Sequence, residues 1–498
     1  MNRCYHAAKS ILLGLLAAQV LATFQVYLSN LSLHRKVISI RDAGYLAVPN
    51  QQITESLQSF GPAFFGGLFF TLTIGAGLSL VSFAVAWVWD RVASRYKGIV
   101  ILFAVLWAAC LVSLNLHGLN LGVTLYFLVI PPLVCALTLR WDPPEDRKRV
   151  RLNRMVHLIP IVLLALLWRS EMDSRMFLDV RDYLLLSNPM GRRINDFYYK
   201  YTLYPAEVFK SLDQKTLRTC SLVSLTDEHL VCELDKALLD QDYLTVRGDD
   251  GVDLKMVQEG NMLTLKNDGQ PVVRVTPQAF LASPKQVLKQ FSVKSDRLAL
   301  FRQVTFFCLL VAFPVTLYML LYALFCIALH FFWGFRVASV TASAICLLFG
   351  IALLVPVHVG RGKEIDVNNL AEVLESERWQ DRVVALKIMG QKRIELGDFQ
   401  AYQEMLLSPH VPERYWLARA LAVSQKHRTY EDLLTLLDDP HPNVVSMAFY
   451  ALGQRGNKRA VSEIINRIEV SNDWYNQWYA YRALRNLGWK QERLTQRS

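Results

Sequence analysis

Seven stretches of this chain lack charged side chains, and that single feature restricts the folds open to it more than any other. A helix that crosses a bilayer needs about 20 mostly apolar residues. Six stretches approach or exceed that length, namely 10–28, 61–89, 98–116, 121–139, 304–333 and 337–359. The seventh, 155–168, would form only about 21 Å of helix and could span only with Arg154 and Arg169 reaching back to the interfaces. The sequence therefore predicts a mainly α membrane protein with about seven transmembrane helices.

The positive charge of the chain is concentrated among these stretches. The net charge is +11, of which residues 1–168 carry +8, whereas the soluble regions 169–303 and 361–498 carry zero and +2. A nucleic-acid-binding protein concentrates basic residues on a soluble module, so we expect membrane lipids and no nucleic acid as partners.

The distribution of Lys and Arg also predicts the orientation in the membrane. Six of them crowd residues 140–154, whereas the longer loop 29–60 holds three. By the positive-inside rule, the N-terminus and residues 140–154 lie in the cytoplasm. No cleavage pattern follows residues 10–28, so we expect an uncleaved anchor. If 155–168 spans, both soluble regions are extracytoplasmic, which we favour; otherwise both are cytoplasmic.

The middle region, 169–303, is predicted to be a small α+β module held by a span at each end. Short β-rich runs separated by Gly, Asn and Asp turns favour an antiparallel meander, with strands at 243–247, 252–257, 262–266 and 272–275. Cys220 and Cys232 flank a predicted hairpin over 221–231. A disulfide between them would suit an oxidising compartment, and two unpaired cysteines are the alternative.

The C-terminal region, 361–498, contains a helical repeat that follows the two-span hairpin at 304–360. Four alanines recur 30 to 35 residues apart on predicted long helices, at Ala385, Ala418, Ala448 and Ala483. A shorter helix precedes each, at 370–374, 399–407, 430–437 and 460–468. The run Asn443-Val444-Val445-Ser446-Met447-Ala448, which ends at Leu452-Gly453, resembles HEAT repeats of the short bacterial type. The resemblance covers roughly 368–489, and it implies an α-solenoid that binds proteins.

No motif for catalysis, a cofactor or a metal ion is present. The patterns GxxxxGK[ST], GxSxG, HExxH and CxxCH are absent, and no charged residue lies near the middle of a span. Two aromatic-rich runs are candidate interaction surfaces, since Tyr, Trp and Arg are favoured at recognition sites, and the alternative for each is ordinary packing. Their residues are Arg192, Arg193, Asp196, Tyr198 and Tyr199 in the middle module, and Trp474, Tyr475 and Trp478 near the C-terminus.

The favoured function is a polytopic scaffold or assembly protein of a bacterial cytoplasmic membrane, which docks a protein partner through the HEAT-like array. The alternative is a membrane enzyme or transport component that handles lipid, glycan or an exported substrate. Its candidate residues lie near one membrane face and are Asn115, His117, Asp179, Arg181, Asp182, Arg192, Arg193 and Asp196. The absence of a catalytic motif weakens the enzyme alternative but leaves it open.

Overall fold

Long apolar helices form the first part of the chain. The computed structural model describes residues 2–116, 118–141, 150–361 and 366–493. The first helices are α1 (Asn2–Asp42), α2 (Gln51–Ser56), α3 (Phe60–Phe70), α4 (Ala76–Arg91), α5 (Lys97–Leu114), α6 (Leu121–Trp141) and α7 (Val150–Glu171). A π-helical turn, Thr71–Gly75, joins α3 to α4, so that the two form one continuous helix.

Six helices in the described residues are long and apolar enough to cross a membrane. They are Tyr5–Asp42, Phe60–Arg91, Lys97–Leu114, Leu121–Trp141, Ala299–His330 and Phe335–Gly360, and they coincide with the six longer stretches predicted from sequence. The short stretch 155–168 lies within α7, but side chains up to residue 158 fall outside the described residues. A seventh span therefore stays a prediction.

The prediction that residues 29–60 form a loop is wrong for its first part. Helix α1 continues to Asp42 instead of ending at the membrane edge. No Gly or Pro interrupts residues 29–42, and Val37 and Ile40 are buried on the same side of the helix. The apolar spacing of a helix therefore persists beyond the span itself.

The middle region combines a five-stranded sheet with helices. Its elements are α8 (Met176–Asp179), a π-helical turn (Val180–Leu185), α9 (Pro189–Tyr201), α10 (Leu203–Phe209), β1 (Arg218–Ser221), α11 (Glu228–Leu239), β2 (Tyr243–Thr245), β3 (Leu254–Glu259), β4 (Met262–Asn267), β5 (Gln270–Val275), α12 (Pro277–Ala282) and α13 (Pro284–Ser295). The strand order is β2-β1-β3-β4-β5. Three of the four strands predicted for the antiparallel meander form it, namely β3, β4 and β5. The prediction is wrong for 243–247, because β2 pairs in parallel with β1, which is also parallel to β3.

The hairpin predicted over 221–231 is wrong. Residues 228–239 form α11, and this helix connects the parallel strands β1 and β2. Its buried residues Leu230, Leu234 and Leu238 recur every fourth position, which is helical spacing. Cys220 is buried on β1 and Cys232 is exposed on α11, and both thiols are free, so the disulfide considered between them is not formed.

Two further long helices precede four helix pairs at the C-terminus. The elements are α14 (Ala299–Phe307), a π-helical turn (Cys308–Ala312), α15 (Phe313–His330), α16 (Phe335–Gly360), α17 (Leu370–Leu374), α18 (Trp379–Lys392), α19 (Tyr402–Met405), α20 (Val411–Leu421), α21 (His427–Leu436), α22 (Pro442–Arg455), α23 (Ala460–Val470) and α24 (Trp474–Asn486). Only α19 is clearly shorter than predicted.

The four repeated alanines lie on the second helix of each pair, and all are buried. These second helices stack on one another through small residues. A Cβ added at Gly453 of α22 would lie 2.8 Å from the Cα of Ala483 on α24. The close approach of α22 and α24 therefore depends on a residue without a side chain. We call residues 366–493 the helical array.

Candidate docking surface

The loop after α1 holds the last helix pair of the array. The Asn50 amide nitrogen lies within 3.0 Å of the carbonyl oxygens of Ile468, Glu469 and Ser471. These carbonyls lie at the end of α23, where helical acceptors lack partners within the helix, so Asn50 caps that helix from another part of the chain. In addition, the Asn50 backbone N–H donates to the Gln477 side-chain oxygen at 2.8 Å.

The α+β module contacts the same end of the array through charged side chains. The Tyr481 hydroxyl donates to Asp242 at 2.6 Å, and Arg485 pairs with the same carboxylate at 3.1 Å. Burial raises the pKa of Asp242, and the bonds from Tyr481 and Arg485 oppose that rise. Lys490 pairs with Asp240 at 2.7 Å. These contacts join the turn before β2 to α24.

The α+β module is in turn joined to the extended end of α1. The buried Asp253 carboxylate accepts hydrogen bonds from Lys36 of α1 at 2.7 Å and from Lys215 at 2.9 Å. Burial alone would raise the pKa of Asp253, but the two ammonium groups hold it well below its usual range. The module therefore contacts both α1 and the array.

A buried cluster of charges attaches the first half of the array to the π-helical turn after α8. Arg181 donates to Asp182 at 2.6 and 2.9 Å, and the other Asp182 oxygen accepts from the Trp416 indole N–H at 2.7 Å. Lys387 lies 3.6 Å from the same oxygen. The guanidinium of Arg181 stacks over the ring of Tyr415 at 3.8 Å. Burial would lower the pKa of Arg181, but the Asp182 carboxylate raises it well above the ordinary value.

The cluster continues to the ends of α7 and α16. Arg361, the residue after α16, pairs with Asp179 and with Glu171, each at 3.0 Å. Lys387 approaches the other oxygen of Asp179 at 3.5 Å. The buried acids thus join two long helices, the π-helical turn and the array in one network.

Helix α9 packs between the array and the membrane-side helices, and it brings the two predicted aromatic runs together. The rings of Tyr199 and Tyr475 meet edge to face at 4.8 Å, and Trp474 meets Tyr204 at 5.1 Å. The buried Asn195 donates to Asn443 on α22 at 2.9 Å. Much of the surface predicted from sequence therefore forms contacts within the chain.

The remaining predicted residues lie at the margin of this contact. Arg193 and Tyr198 are exposed, and Arg192 is half-buried. Trp478 is half-buried, with the guanidinium of Arg482 at 4.5 Å over its ring. Of the described residues predicted as interaction surfaces, those at this margin are the ones left accessible to a partner.

Asp196 contacts His441 of the array at 3.2 Å. The His441 Nδ1 accepts from the Asn443 backbone N–H, so the neutral ring carries its proton on Nε2, the nitrogen nearer the carboxylate. Burial lowers the pKa of His441; Asp196 and Asp439 raise it, and Arg414 and Arg192 lower it.

Several of the residues considered for an enzymatic alternative make contacts within the chain. Asn115 accepts from the Asn120 backbone N–H at 2.9 Å in the link between α5 and α6, and His117 lies outside the described residues. Asp179, Arg181 and Asp182 belong to the charge cluster. Among the residues that the structure describes, no group of three or more His, Cys, Asp or Glu side chains could hold a metal ion.

A cavity of about 630 Å³ lies between α8 and the second helices of the array. Five basic and two acidic residues line it: Arg175, Arg361, Lys387, Arg393, Arg419, Asp173 and Asp179. A neighbouring cavity of about 420 Å³ extends toward α24, where Tyr479, Arg482 and Asn486 line it. Leu178, Arg419, Tyr450 and Gln454 line both cavities. We call the two cavities together the groove.

The cations of the groove fall into two classes. Arg361 and Lys387 have carboxylate partners, as described above. In the described part of the chain, Arg175, Arg393 and Arg419 have no carboxylate within ion-pair distance. The guanidinium of Arg419 lies 5.0 Å from the ring of Trp416 and 5.7 Å from that of Tyr450. Aromatic rings thus position this charge without neutralising it.

Sequence reasoning missed the groove, although a signal was present. Lys387, Arg419, Tyr450 and Arg482 each lie within two residues of a repeated alanine. Equivalent positions of a solenoid repeat share one face of the stack, so polar and aromatic residues beside the alanines indicate a common surface.

The family comparison agrees with the helix pairs. A profile of HEAT repeats matches residues 399–485. No curated protein and no solved structure matches the chain. The match begins just before α19 and ends within α24, so three of the four helix pairs of the C-terminal region are HEAT repeats.

Proposed function

We propose that this protein is an integral membrane scaffold that docks a protein partner in the groove of its HEAT repeats. HEAT repeats generally mediate protein binding through such extended surfaces. The observation that carries the proposal is the groove itself. The array is held at both ends by buried polar contacts, yet Arg482 lines the cavity nearest α24 with its guanidinium over the ring of Trp478 and, among the described residues, with no carboxylate partner.

The contacts of the loop after α1 support one arrangement in the membrane. Asn50 and Lys36 bind the array and the α+β module, so residues 43–56 lie on the same side of the apolar helices as both modules. Three candidate spans lie between residue 56 and α7. An odd number of crossings would place the modules on the opposite side. A crossing by α7 makes the number even, which supports seven spans.

The packing of α7 supports the same arrangement. Its 22 residues correspond to about 33 Å of helix, enough for a bilayer core. The Trp168 indole donates to the Leu310 carbonyl at 2.8 Å, and Leu164 packs against Gly350 of α16. Leu166 is 63% exposed on the outer face, where lipid would cover it. With the N-terminus in the cytoplasm, both modules are extracytoplasmic.

The half of the groove nearest α24 is the docking site for the partner. It combines Tyr450, Tyr479 and Arg482 with the side-chain amides of Gln454 and Asn486. Tyrosine and arginine are the residues that most often supply binding energy at protein interfaces.

A photo-crosslinking amino acid tests the docking site in intact cells. Placed at the exposed Asn486 in the groove, it is expected to give a discrete crosslinked adduct. Asn466 is the matched control, because it is exposed on α23, outside both cavities. Arg482→Glu should abolish the adduct at 486 by reversing a charge beside it. Identical products at 486 and 466, or an adduct that survives Arg482→Glu, would contradict a specific docking groove.

The exposed thiol of Cys232 tests the membrane arrangement. A membrane-impermeant maleimide should label it in intact spheroplasts, because the α+β module is expected outside the cytoplasm. Cys232→Ser identifies any labelling of other cysteines. Labelling that requires lysis would place both modules in the cytoplasm and reject the seven-span arrangement.

A further inference from the structure

We propose that the cavity between α8 and the array binds the phosphate headgroup of an anionic phospholipid from the adjacent membrane leaflet. The proposal rests on the membrane arrangement above but not on the protein partner. It concerns the half of the groove nearest α8, whereas the docking site lies in the half nearest α24.

The position of the cavity at the end of two apolar helices points to lipid. Arg361, which lines it, directly follows Gly360, the last residue of a candidate span. Leu178 of α8 also lines it, and the neighbouring Phe177 packs on Phe306 with ring centroids 6.1 Å apart. Phe177 and Phe306 are 51% and 53% exposed, and Phe306 belongs to the other candidate span. Lipid that covers these rings would have its headgroup beside the cavity.

The charges of the cavity favour an anion. Asp173 and Asp179 are already engaged by Arg361, at 3.5 and 3.0 Å. The lining itself has five basic and two acidic residues. Glu171, Arg181 and Asp182 of the same charge cluster bring the local excess to two positive charges, and Arg175, Arg393 and Arg419 have no carboxylate partner among the described residues. Guanidinium groups bind phosphate oxygens through paired, charge-assisted hydrogen bonds, and an arginine held in place by aromatic rings loses little freedom on binding.

The size and lining of the cavity suit a headgroup better than an extended chain. About 630 Å³ falls within the usual range of small-molecule sites. Arg175 and Arg393 line this cavity alone and not its neighbour. A polypeptide that followed the stacked helices would draw its contacts from both cavities. We therefore assign the half nearest α8 to lipid.

Binding of short-chain lipids to the delipidated full-length protein tests the proposal. The probes are dioctanoyl phosphatidylglycerol, dioctanoyl phosphatidylcholine and inorganic phosphate, with the bound fraction read by native mass spectrometry. Phosphatidylglycerol should bind at least tenfold more tightly than the other two. The double variant Arg393→Gln with Arg419→Gln should lose about tenfold in affinity for it.

The matched control removes two arginines outside the groove. Arg428 and Arg459 are exposed and line neither cavity, so Arg428→Gln with Arg459→Gln should bind phosphatidylglycerol like the unmodified protein. Thermal unfolding without lipid verifies that both double variants fold.

Three results would overturn the proposal. Equal binding of both phospholipids would mean that charge is not recognised. Equal binding of inorganic phosphate would assign the site to a soluble anion. Unchanged phosphatidylglycerol binding by the Arg393/Arg419 variant would place the lipid elsewhere. Each would leave the crosslink at Asn486 unaffected, so failure here is distinguishable from failure of the docking proposal.

Discussion

Replacement of Asp182 by Asn should detach the first half of the array from the membrane-side helices. The Asp182 side chain is fully buried and that of Arg181 is only 7% exposed, so their ion pair is shielded from water. The substitution leaves the shape nearly unchanged but leaves Arg181 as a buried charge without a carboxylate partner. Breaking a buried pair in this way costs about 3–5 kcal/mol.

Hydrogen–deuterium exchange measures this loss locally. Since about 1.4 kcal/mol corresponds to a factor of ten, amides in 180–185 and 411–421 should exchange roughly 10² to 4 × 10³ times faster in Asp182→Asn. Asp398→Asn is the matched control in the same array. Its pair with Lys426 is exposed on both sides, so its loss should cost at most about 1 kcal/mol.

A second variant separates lost charge pairing from lost packing. Arg181→Met combined with Asp182→Leu removes both ions, so no uncompensated charge stays buried, and the acceleration should be smaller than in Asp182→Asn. If these amides exchanged no faster in Asp182→Asn than in Asp398→Asn, the charge cluster would not hold the array against the membrane-side helices.

Two further substitutions test the array itself. Gly453→Val places a side chain against Ala483 and should lower stability by about 2 kcal/mol, measured as a reduced melting temperature, whereas Gly248→Ala in open space should leave it within about 0.5 kcal/mol. The lowered pKa of His441 means that the unfolded chain takes up its proton first on acidification. Protonation would place a charge on a buried imidazole, so the fold around His441 is fully stable above about pH 6.5 and loses stability below it, even though the charged ring attracts Asp196. In 442–455, the protection of amides, corrected for the pH dependence of intrinsic exchange, should be lower at pH 5.5 than at pH 7.5, and this difference should disappear in His441→Gln. Persistence of the difference would assign it to another group.

Local patterns predicted most of the elements. The helix pairs follow from the spacing of Ala385, Ala418, Ala448 and Ala483, because small residues at a fixed period mark the faces that stack. The meander follows from Gly and Asn turns between short β-rich runs. The predicted hairpin is wrong because the short run 228–231 is the start of a longer pattern. Leu230, Leu234 and Leu238 recur every fourth residue, which is the spacing of a helix.

The candidate site was only partly predictable. The sequence shows that Tyr199 and Tyr475 are of a residue type favoured at interfaces. It does not show that their two rings pack against each other in the folded chain. Arg419 looked like any arginine on an amphipathic helix. Its lack of a carboxylate neighbour depends on which segments pack against α20, and that is a property of the folded chain.

The sequence by itself determined the apolar helices, the repeat and the absence of known catalytic motifs, because these depend on residue type and period along the chain. Only the tertiary structure decided how the modules meet. Contacts such as Asn50 with Ser471 and Asp182 with Trp416 join residues more than 200 positions apart. Such pairs have no periodic signal, since their energy comes from the removal of polar groups from water at a place that exists only after folding.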